Sequence, residues 1–318
     1  MTFRVILVTS GLSRVCKPLQ NSKHDLISIV DSRLHQKKLN LLSRFILEIK
    51  KFYNKDPLLR FCSVNNLDYM SLHKKSVDLV YEKIKKLSPD IIIIFSMPGL
   101  LDEKFLNIAH YGTVNLHPSI LPNYAGPNPD FWQYYMCEQD LGVTVHLVTD
   151  KEDAGAILGV KRVSFELGEN SSSRLDRLVR DAGSELLLEV LDKIERNECV
   201  PAQQDLQSRK IRARRVLANE HANLIEWEEW SVERTWHVLR GTETWLNALP
   251  APYGGFGQRW KIKSFRKQKP FGLPGAVQKL NTTWIVNAKD GIIEIEREFS
   301  LRQLLKFFYV KARKFIKV

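Results

Sequence analysis

Two polar side chains that could do chemistry, Asn115 and His117, lie two residues apart at the end of a short apolar segment. Because side chains alternate along a strand, both point to one side, while Leu116 between them faces the core. Asp153 follows the next strand-like segment, in a turn that continues into Gly155, where another backbone can approach closely. A carboxylate beside an imidazole raises the pKa of the imidazole and orients its ring. The spacing therefore predicts a pocket that holds an amide, an imidazole and a carboxylate.

This set of side chains suits the transfer of an acyl group to an amine. Asn115 can donate a hydrogen bond to the oxygen of a tetrahedral intermediate, and loss of such a donor costs about 10²–10³ in rate. His117 can stabilise the same oxygen or transfer a proton, which adds roughly 10²–10⁴. Asp153 can accept the proton of the attacking amine while it keeps His117 charged. The alternative, that these residues are structural and that Asp153 caps a turn, stays open at this point.

The elements that position these residues follow the pattern of a parallel α/β sheet, in which apolar strands alternate with amphipathic helices. Residues 3–8 and 91–95 are apolar runs that favour strands buried on both faces. Two further strands and a helix are predicted at residues 112–117, 143–148 and 101–109. Ligands bind beyond the carboxyl ends of the strands in such sheets, which is where Asn115 and His117 fall.

The second half of the chain changes character after the helical pattern of residues 175–190. Shorter apolar runs separated by Gly and Pro predict a small β-rich domain, and they lie at residues 236–239, 257–262, 284–286 and 292–295. The predicted organisation is a catalytic domain over residues 1–207, a basic linker over 208–216, the β-rich domain over 217–300 and a basic amphipathic tail over 301–318. The tail fits contact with an anionic membrane, with nucleic acid or with its own domain.

Composition limits the class of protein. Of 318 residues, 44% are apolar and 26% are charged, which is typical of a globular chain and excludes a disordered or fibrous class. The longest apolar run is far shorter than the roughly 20 residues that span a bilayer, and no leader pattern is evident, so we expect a cytoplasmic protein. The four cysteines show no paired spacing, so no metal site is predicted. The net charge of +12 attracts polyanions, and basic clusters lie at residues 209–215 and 259–269.

Four linked motifs extend the interpretation. They are NLHPSILP at residues 115–122, YAG at 124–126, GVTVH at 142–146 and DKEDAG at 150–155. Their sequences and spacing resemble the N10-formyltetrahydrofolate-dependent formyltransferases, a family of glycinamide ribonucleotide, methionyl-tRNA and sugar N-formyltransferases, over about residues 3–200. The resemblance implies a Rossmann-like α/β fold, with an open, mostly parallel sheet and flanking helices. It also implies that Asn115, His117 and Asp153 form the catalytic triad and that N10-formyltetrahydrofolate donates the formyl group.

The resemblance also implies which residues bind the folate. The family holds the pterin ring on backbone groups of the loop after the central strand and of the loop that carries the catalytic Asp. The matching positions are Met97, Pro98, Gly99, Leu100, Leu101, Val148 and Asp150. Apolar side chains with accessible backbone amides suit a flat heteroaromatic ring.

A looser resemblance covers the second domain. Residues 223–227, 274–277 and 284–296 resemble the OB-like C-terminal domain of methionyl-tRNA formyltransferases and some sugar formyltransferases. The purine-pathway enzyme ends without such a domain, so this resemblance argues against it.

The acceptor amine is predicted from departures from the family pattern. Methionyl-tRNA formyltransferases carry an RGAAP-like segment where this chain has AGPNPDFW at residues 125–132, and residues 31–47 show no Gly-rich insertion. Both departures favour a nucleotide-linked amino sugar as acceptor. The basic clusters keep methionyl-tRNA as an alternative, and the amine of a hydroxylated amino acid is a third. A nucleic-acid-binding protein on an inactive formyltransferase scaffold is the alternative from a different class.

The predicted acceptor contacts are Ser10, Gly11, Ser13, Tyr124 and Gly126. The first three lie in the loop after the first strand, which is placed to meet the acceptor or its phosphate. Two nearby aromatic side chains, those of Trp132 and Tyr134, either stack on the acceptor or belong to the core. A homodimer and a peripheral membrane contact through the tail are left open.

Overall fold

The computed structural model of the chain describes residues 2–33, 56–217, 219–243, 246–252, 257–301 and 304. The chain divides into two compact units. The first unit comprises residues 1–130, 140–164 and 175–214, and the second comprises residues 131–139, 165–174 and those from 215 onward. The predicted domain limits at 207, 216 and 300 stay predictions.

The first unit is built on a seven-stranded sheet with the order β3-β2-β1-β4-β5-β6-β7. Its strands are β1 (Arg4–Thr9), β2 (Asp25–Asp31), β3 (Asp68–Ser71), β4 (Ile91–Phe95), β5 (Thr113–His117), β6 (Asp140–Leu147) and β7 (Ile157–Ser164). The strands are parallel from β3 to β5, while β6 and β7 run antiparallel to their neighbours. The predicted open, mostly parallel α/β sheet is confirmed.

The core of this sheet follows from its β-branched central strand. The four isoleucines of β4 are at most 7% exposed, as a strand covered on both faces requires. β4 pairs with β1 on one side and with β5 on the other, so the ends of these strands meet at one edge of the sheet. Asn115 and His117 lie on β5 at that edge.

Helices flank the sheet. Within the first unit they are Cys16–Gln20, Pro57–Val64, Val77–Leu87, the π-helical Asp176–Gly183 and Ser184–Glu195. Two further helices, Pro129–Tyr135 and Ser171–Leu175, belong mostly to the second unit. The prediction of a helix over residues 101–109 is wrong, because this segment contains only the 3-10 turn Glu103–Phe105. Leu101, Phe105 and Ile108 nevertheless pack against one buried cluster, so their apolar spacing reflects core packing of an irregular segment.

The second unit contains the helix Val232–Thr242 and four antiparallel strands in the order β8-β11-β10-β9. The strands are β8 (Gln258–Lys267), β9 (Val277–Leu280), β10 (Thr283–Ala288) and β11 (Gly291–Phe299). A small β-rich C-terminal region is confirmed, and its likeness to an OB domain stays a prediction. Residues 236–239, taken from the sequence as a β-type run, lie inside the helix, because a four-residue apolar run does not distinguish a helix from a strand.

Tyr134 belongs to the core of the second unit. Its side chain is 1% exposed, its ring stacks on His237, and the guanidinium of Arg174 lies 3.5 Å from the ring centroid. Gly241 leaves room for this ring, since a Cβ there would lie 2.1 Å from it. The sequence left two roles open for Tyr134, stacking on the acceptor and packing in the core. The structure shows that Tyr134 packs in the core.

The basic cluster at residues 259–269 is largely paired. β8 and β11 are neighbours, and cations on β8 bind glutamates on β11. The pairs are Arg259 with Glu298, Lys263 with Glu296 and Arg266 with Glu294. We call these six residues the ion-pair ladder. The cluster consequently presents less free positive charge than its sequence predicts.

Two sequence-based predictions fall on residues outside those described. One is the basic tail, of which only residues 301 and 304 are described. The other is the prediction that residues 31–47 contain no Gly-rich insertion, because residues 34–47 are not among those described. Within the described ranges, no helix combines the length and the apolar character that crossing a membrane requires.

Candidate active site

Asn115 and His146 form a cross-strand pair at the edge of the first unit's sheet. The antiparallel register of β5 and β6 places Asn115 opposite His146 and His117 opposite Thr144. Directly opposed side chains in such a pair lie within contact distance. The Nδ2 atom of Asn115 lies 3.0 Å from Nε2 of His146.

The hydrogen-bond partners of His146 determine how Asn115 is oriented. Nδ1 of His146 lies 2.8 Å from the carbonyl oxygen of Leu147, which can only accept, so Nδ1 carries the hydrogen. In the neutral ring, Nε2 then accepts a hydrogen bond from the amide of Asn115. The second hydrogen of that amide points to Oδ1 of Asp153 at the longer distance of 3.4 Å. His146 thus turns the amide nitrogen of Asn115 toward Asp153.

His117 is held by a backbone carbonyl. Its Nε2 lies 3.0 Å from the carbonyl oxygen of Tyr124, so Nε2 carries a hydrogen. The other ring nitrogen, Nδ1, faces Oδ2 of Asp153 at 3.7 Å, which is longer than a hydrogen bond. Nδ1 of the neutral ring is therefore a proton acceptor beside a carboxylate.

Asp153 lies in the connection from β6 to β7 with a φ of 49°, in the left-handed region that costs a residue with a Cβ about 1–2 kcal/mol. Its Oδ2 accepts a hydrogen bond from the amide of Gly126 at 2.8 Å. Gly155 lets the turn close, since a Cβ there would lie 1.8 Å from the carbonyl oxygen of Leu147. The turn holds the carboxylate 3.7 Å from His117 and 3.6 Å from His146.

The two ionisable groups of the site respond differently to burial. Burial opposes the ionisation of Asp153, but His146, His117 and the amide of Gly126 outweigh it and lower the pKa of the carboxyl to about 2. Burial lowers the pKa of His117, and the attraction of Asp153 does not restore it. The prediction that Asp153 keeps His117 charged is therefore wrong, because enclosing the charged ring costs more than one carboxylate at 3.7 Å returns. At neutral pH Asp153 is therefore a carboxylate and the imidazole of His117 is neutral.

The predicted folate contacts lie on two loops of the first unit. Met97, Leu101 and Val148 pack against one buried cluster, which brings the apolar members of the two loops together. The remaining predicted contacts lie at or near the surface of these loops: Pro98, Gly99, Leu100 and Asp150. Their contact with the folate stays a prediction.

The loop after β1 carries three predicted acceptor contacts, Ser10, Gly11 and Ser13. Gly11 has a φ of 83°, and a Cβ there would lie 3.4 Å from Cδ of Arg33. The guanidinium of Arg33 binds Asp31 at 2.7 Å and Asp56 at 2.6 Å. Because two carboxylates share this one cation, Arg33 is not a free positive charge for an acceptor phosphate.

Tyr124 and Gly126, also predicted as acceptor contacts, act on the site through their backbones. The carbonyl of Tyr124 holds His117, and the amide of Gly126 holds Asp153. The side chain of Tyr124 is buried. Binding of the acceptor by these two residues stays a prediction.

Two residues of the site had no role assigned from the sequence. His146 closes the GVTVH motif at a position that alternation places on the same face as Thr144, which is a usable signal. Gln204 binds the turn of Asp153 from a segment far along the chain, and no local pattern indicates this contact. Among the described residues, no group of three His, Cys, Asp or Glu side chains is arranged to hold a metal ion.

Comparison with known proteins places this geometry in a family. The sequence profile described as Formyl transferase matches residues 43–191. A methionyl-tRNA formyltransferase of Alkaliphilus metalliredigens (strain QYMF) is 30% identical over 220 residues, which cover 69% of this chain and 68% of that protein. The chain belongs to the formyltransferase family. This formyltransferase is accordingly an enzyme, as predicted.

Solved structures share the fold of this formyltransferase. The N-formyltransferase of Helicobacter canadensis in complex with folinic acid and dTDP-3-aminofucose has a TM-score of 0.60 and 15% identity, covering 94% of this chain and 100% of that one. HypX of Aquifex aeolicus in complex with tetrahydrofolic acid also has a TM-score of 0.60 and 15% identity, covering 96% of this chain and 47% of that one. At these identities the likeness establishes the fold. The family and the folate-bound neighbours support the predicted formyl-folate donor.

Proposed function

We propose that this formyltransferase moves the formyl group of N10-formyltetrahydrofolate to the primary amine of a nucleotide-linked amino sugar, through Asn115, His117 and Asp153. The observation that carries the proposal is the convergence of these three side chains at one edge of the sheet. The carboxylate of Asp153 lies 3.7 Å from Nδ1 of His117 and 3.4 Å from the amide of Asn115. An amide donor, a neutral imidazole and an ionised carboxylate meet the needs of acyl transfer to an amine.

The protonation states suggest the order of proton transfer. The lone pair of the amine attacks the formyl carbon, a carbon–nitrogen bond forms, and the π electrons of the carbonyl move to its oxygen. Nδ1 of His117 accepts the amine's proton, and Asp153 stabilises the resulting imidazolium. The oxyanion then re-forms the carbon–oxygen double bond, the carbon–N10 bond breaks with its electron pair going to N10, and His117 returns the proton to N10 of the folate. The tetrahydrofolate leaves with the proton, and the acceptor keeps the formyl group.

Asn115 stabilises the oxyanion in this scheme. The contact of its amide with His146 is short at 3.0 Å, whereas the contact with Asp153 is long at 3.4 Å. The weaker contact is the one that the formyl oxygen can replace, because an oxyanion at ordinary hydrogen-bond distance is a better acceptor than a carboxylate oxygen at 3.4 Å. His146 keeps the amide oriented during the exchange.

The ion-pair ladder supports the amino sugar as acceptor. A polyanionic tRNA needs several unpaired cations on its binding surface, and the ladder offsets much of the positive charge of residues 259–269. The match to the Helicobacter canadensis N-formyltransferase, whose complex contains an aminosugar nucleotide, extends over 94% of this chain and 100% of that one. We also propose an OB-like arrangement of the second unit and a cytoplasmic location, as the sequence predicts.

Methionyl-tRNA is the second candidate acceptor, and the sequence relatives favour it. The Alkaliphilus metalliredigens relative bears that activity in its name. The basic residues at 209–214 lie close to the site, since residues 211–213 bond to the loop that holds His117, and Arg212 among them is paired with Glu152. These cations suit the phosphates of either acceptor.

The experiment offers the purified chain N10-formyltetrahydrofolate with dTDP-3-aminofucose, with amino acids and with methionyl-tRNA, and follows the release of tetrahydrofolate. We expect the aminosugar nucleotide to be formylated, and we expect the affinity for it to depend only weakly on the salt concentration. Formylation of charged tRNA alone, with an affinity that falls steeply with salt, would select the second candidate. His117→Ala and Asp153→Asn should both lose most of the activity, and near-normal turnover in either variant contradicts the proposed mechanism.

A further inference from the structure

Residues 202–213, which we call the strap, contact the loop that fixes His117 and the turn that carries Asp153. At one end, Ala202 forms a two-way backbone bridge with Ile157, with both N···O distances at 2.8 Å. At the other end, Ala213 donates to the carbonyl of Ala125 at 2.8 Å. Within the predicted linker of residues 208–216, the part up to Ala213 is thus bonded to the first unit.

The distal part of the strap holds the loop that fixes His117. The amide of Tyr124 donates to the carbonyl of Ile211 at 2.8 Å, and the carbonyl of the same Tyr124 accepts from His117. Gly126 permits this approach, since a Cβ there would lie 2.7 Å from the carbonyl oxygen of Ala213. The loop is consequently gripped by His117 on one side and by the strap on the other.

The proximal part of the strap holds the turn of Asp153. Nε2 of Gln204 donates to the carbonyl of Asp153 at 3.0 Å and to the carbonyl of Gly155 at 2.7 Å. One carboxamide therefore uses both of its hydrogens to span a turn whose first residue has left-handed backbone. An ion pair between Arg212 of the strap and Glu152 adds a second attachment beside the same turn.

We propose that Gln204 is a positioning residue for formyl transfer, which acts by fixing the backbone of Asp153 so that its carboxylate faces Nδ1 of His117. This inference rests on the proposed function, because the position of Asp153 matters to the rate only if its carboxylate acts in the transfer. Misplacement of a catalytic group by about 1 Å can cost about 10² in rate. Gln204 touches neither reacting group, so it acts through Asp153 alone.

The test compares Gln204→Ala and the isosteric Gln204→Glu with a matched control, Gln203→Ala. Gln203 is the exposed neighbour of Gln204 on the strap, so its loss leaves the turn of Asp153 bound. The Glu variant keeps the volume of the side chain but replaces the donor with an oxygen that repels both carbonyls. The full-length proteins are compared by the ¹⁵N NMR titration of His117, by thermal unfolding, and by kcat and KM with dTDP-3-aminofucose and methionyl-tRNA assayed in parallel.

We expect Gln204→Ala to lower the pKa of His117, because the displaced Asp153 no longer stabilises the imidazolium. Gln204→Glu adds a negative charge near the imidazole, which opposes this change in pKa, so the Glu variant is judged by its kcat. We also expect kcat to fall about 10- to 100-fold while KM for the folate changes less than about two-fold. The control should match the wild type in every measurement. An unshifted His117 titration in Gln204→Ala overturns the inference, whether or not the variant loses thermal stability, since Gln204 would then be merely structural.

Asp153→Asn separates the inference from the proposed function. If Asp153→Asn retains activity, the proposed function fails, whatever the Gln204 variants do. If Asp153→Asn is inactive and the Gln204 variants match the control, the positioning role alone fails. Should neither amine be formylated, the NMR titration still decides whether Gln204 places Asp153 beside His117.

Discussion

Replacing His146 with Leu should reduce formyl transfer through its effect on Asn115. The imidazole is 2% exposed and accepts a hydrogen bond from the amide of Asn115 at 3.0 Å. Leu is similar in size and cannot accept that bond, so a half-buried amide hydrogen loses its partner. A buried donor left unsatisfied costs about 1–3 kcal/mol, which corresponds to a population of misoriented Asn115 that grows by about 5- to 160-fold. We expect kcat to fall by about 10- to 100-fold, with little change in KM for the folate.

The loss of kcat in His146→Leu should not exceed the loss in Asn115→Ala. Asn115→Ala removes the oxyanion donor outright and should lower kcat by about 10²–10³. A double-mutant cycle assigns the effect. If His146 acts only by orienting Asn115, adding His146→Leu to Asn115→Ala should cost no further activity. The assay is single-turnover release of tetrahydrofolate, with the exposed His110 replaced by Leu as control.

The reasoning about His146 is refuted by losses that multiply in the double variant, since His146 would then contribute independently of Asn115. It is equally refuted by an unchanged kcat in His146→Leu. A fall in thermal stability alone would place His146 among structural residues. His110→Leu should leave both kcat and stability at wild-type values.

Three further predictions follow from other contacts. Burial lowers the pKa of His237 to about 4, whereas the pKa of His in an unfolded chain is about 6.5. The unfolded state therefore takes up the proton first as the pH drops. The free energy of unfolding should fall between about pH 6.5 and pH 4, by up to about 3 kcal/mol. Urea unfolding at several pH values measures this slope, which should flatten in His237→Gln. Gly155→Ala should destabilise the first unit and abolish activity, because its Cβ would meet a carbonyl at 1.8 Å, and a wild-type melting temperature with normal kcat would contradict the geometry of the turn. Joint replacement of Glu294, Glu296 and Glu298 with Gln should delay elution from heparin while costing at most about 1 kcal/mol per partly exposed pair; unchanged elution would mean that the ladder does not mask this face.

The sequence indicates most of what positions Asn115 and His117. The period of two along a strand places both on one side, and the structure confirms that they share β5. The run of isoleucines before them coincides with β4, because uninterrupted β-branched residues fit a strand covered on both faces. These features are local, so a single segment contains the information that specifies them.

The features that the sequence does not indicate depend on contacts between distant segments. The donor that holds the turn of Asp153 comes from Gln204, about fifty residues further along the chain. The lowered pKa of His117 depends on full enclosure of its ring, which no count of neighbouring charges conveys. Residues 101–109 show helical spacing without forming a helix, because short helices are marginal and packing of Phe105 decides the backbone there.

The ion-pair ladder has a consequence for association between copies of the chain. β8 lies at one end of the described strand order in the second unit and is ten residues long. A long outer strand is a template for the addition of a strand from another molecule, and charged side chains along it oppose that addition. An antiparallel pairing of two copies of β8 would bring the cations of one strand close to those of the other, and like charges placed opposite each other are destabilising. The ladder therefore protects the sheet from edge-to-edge aggregation, and we expect any homodimer to form through a different surface.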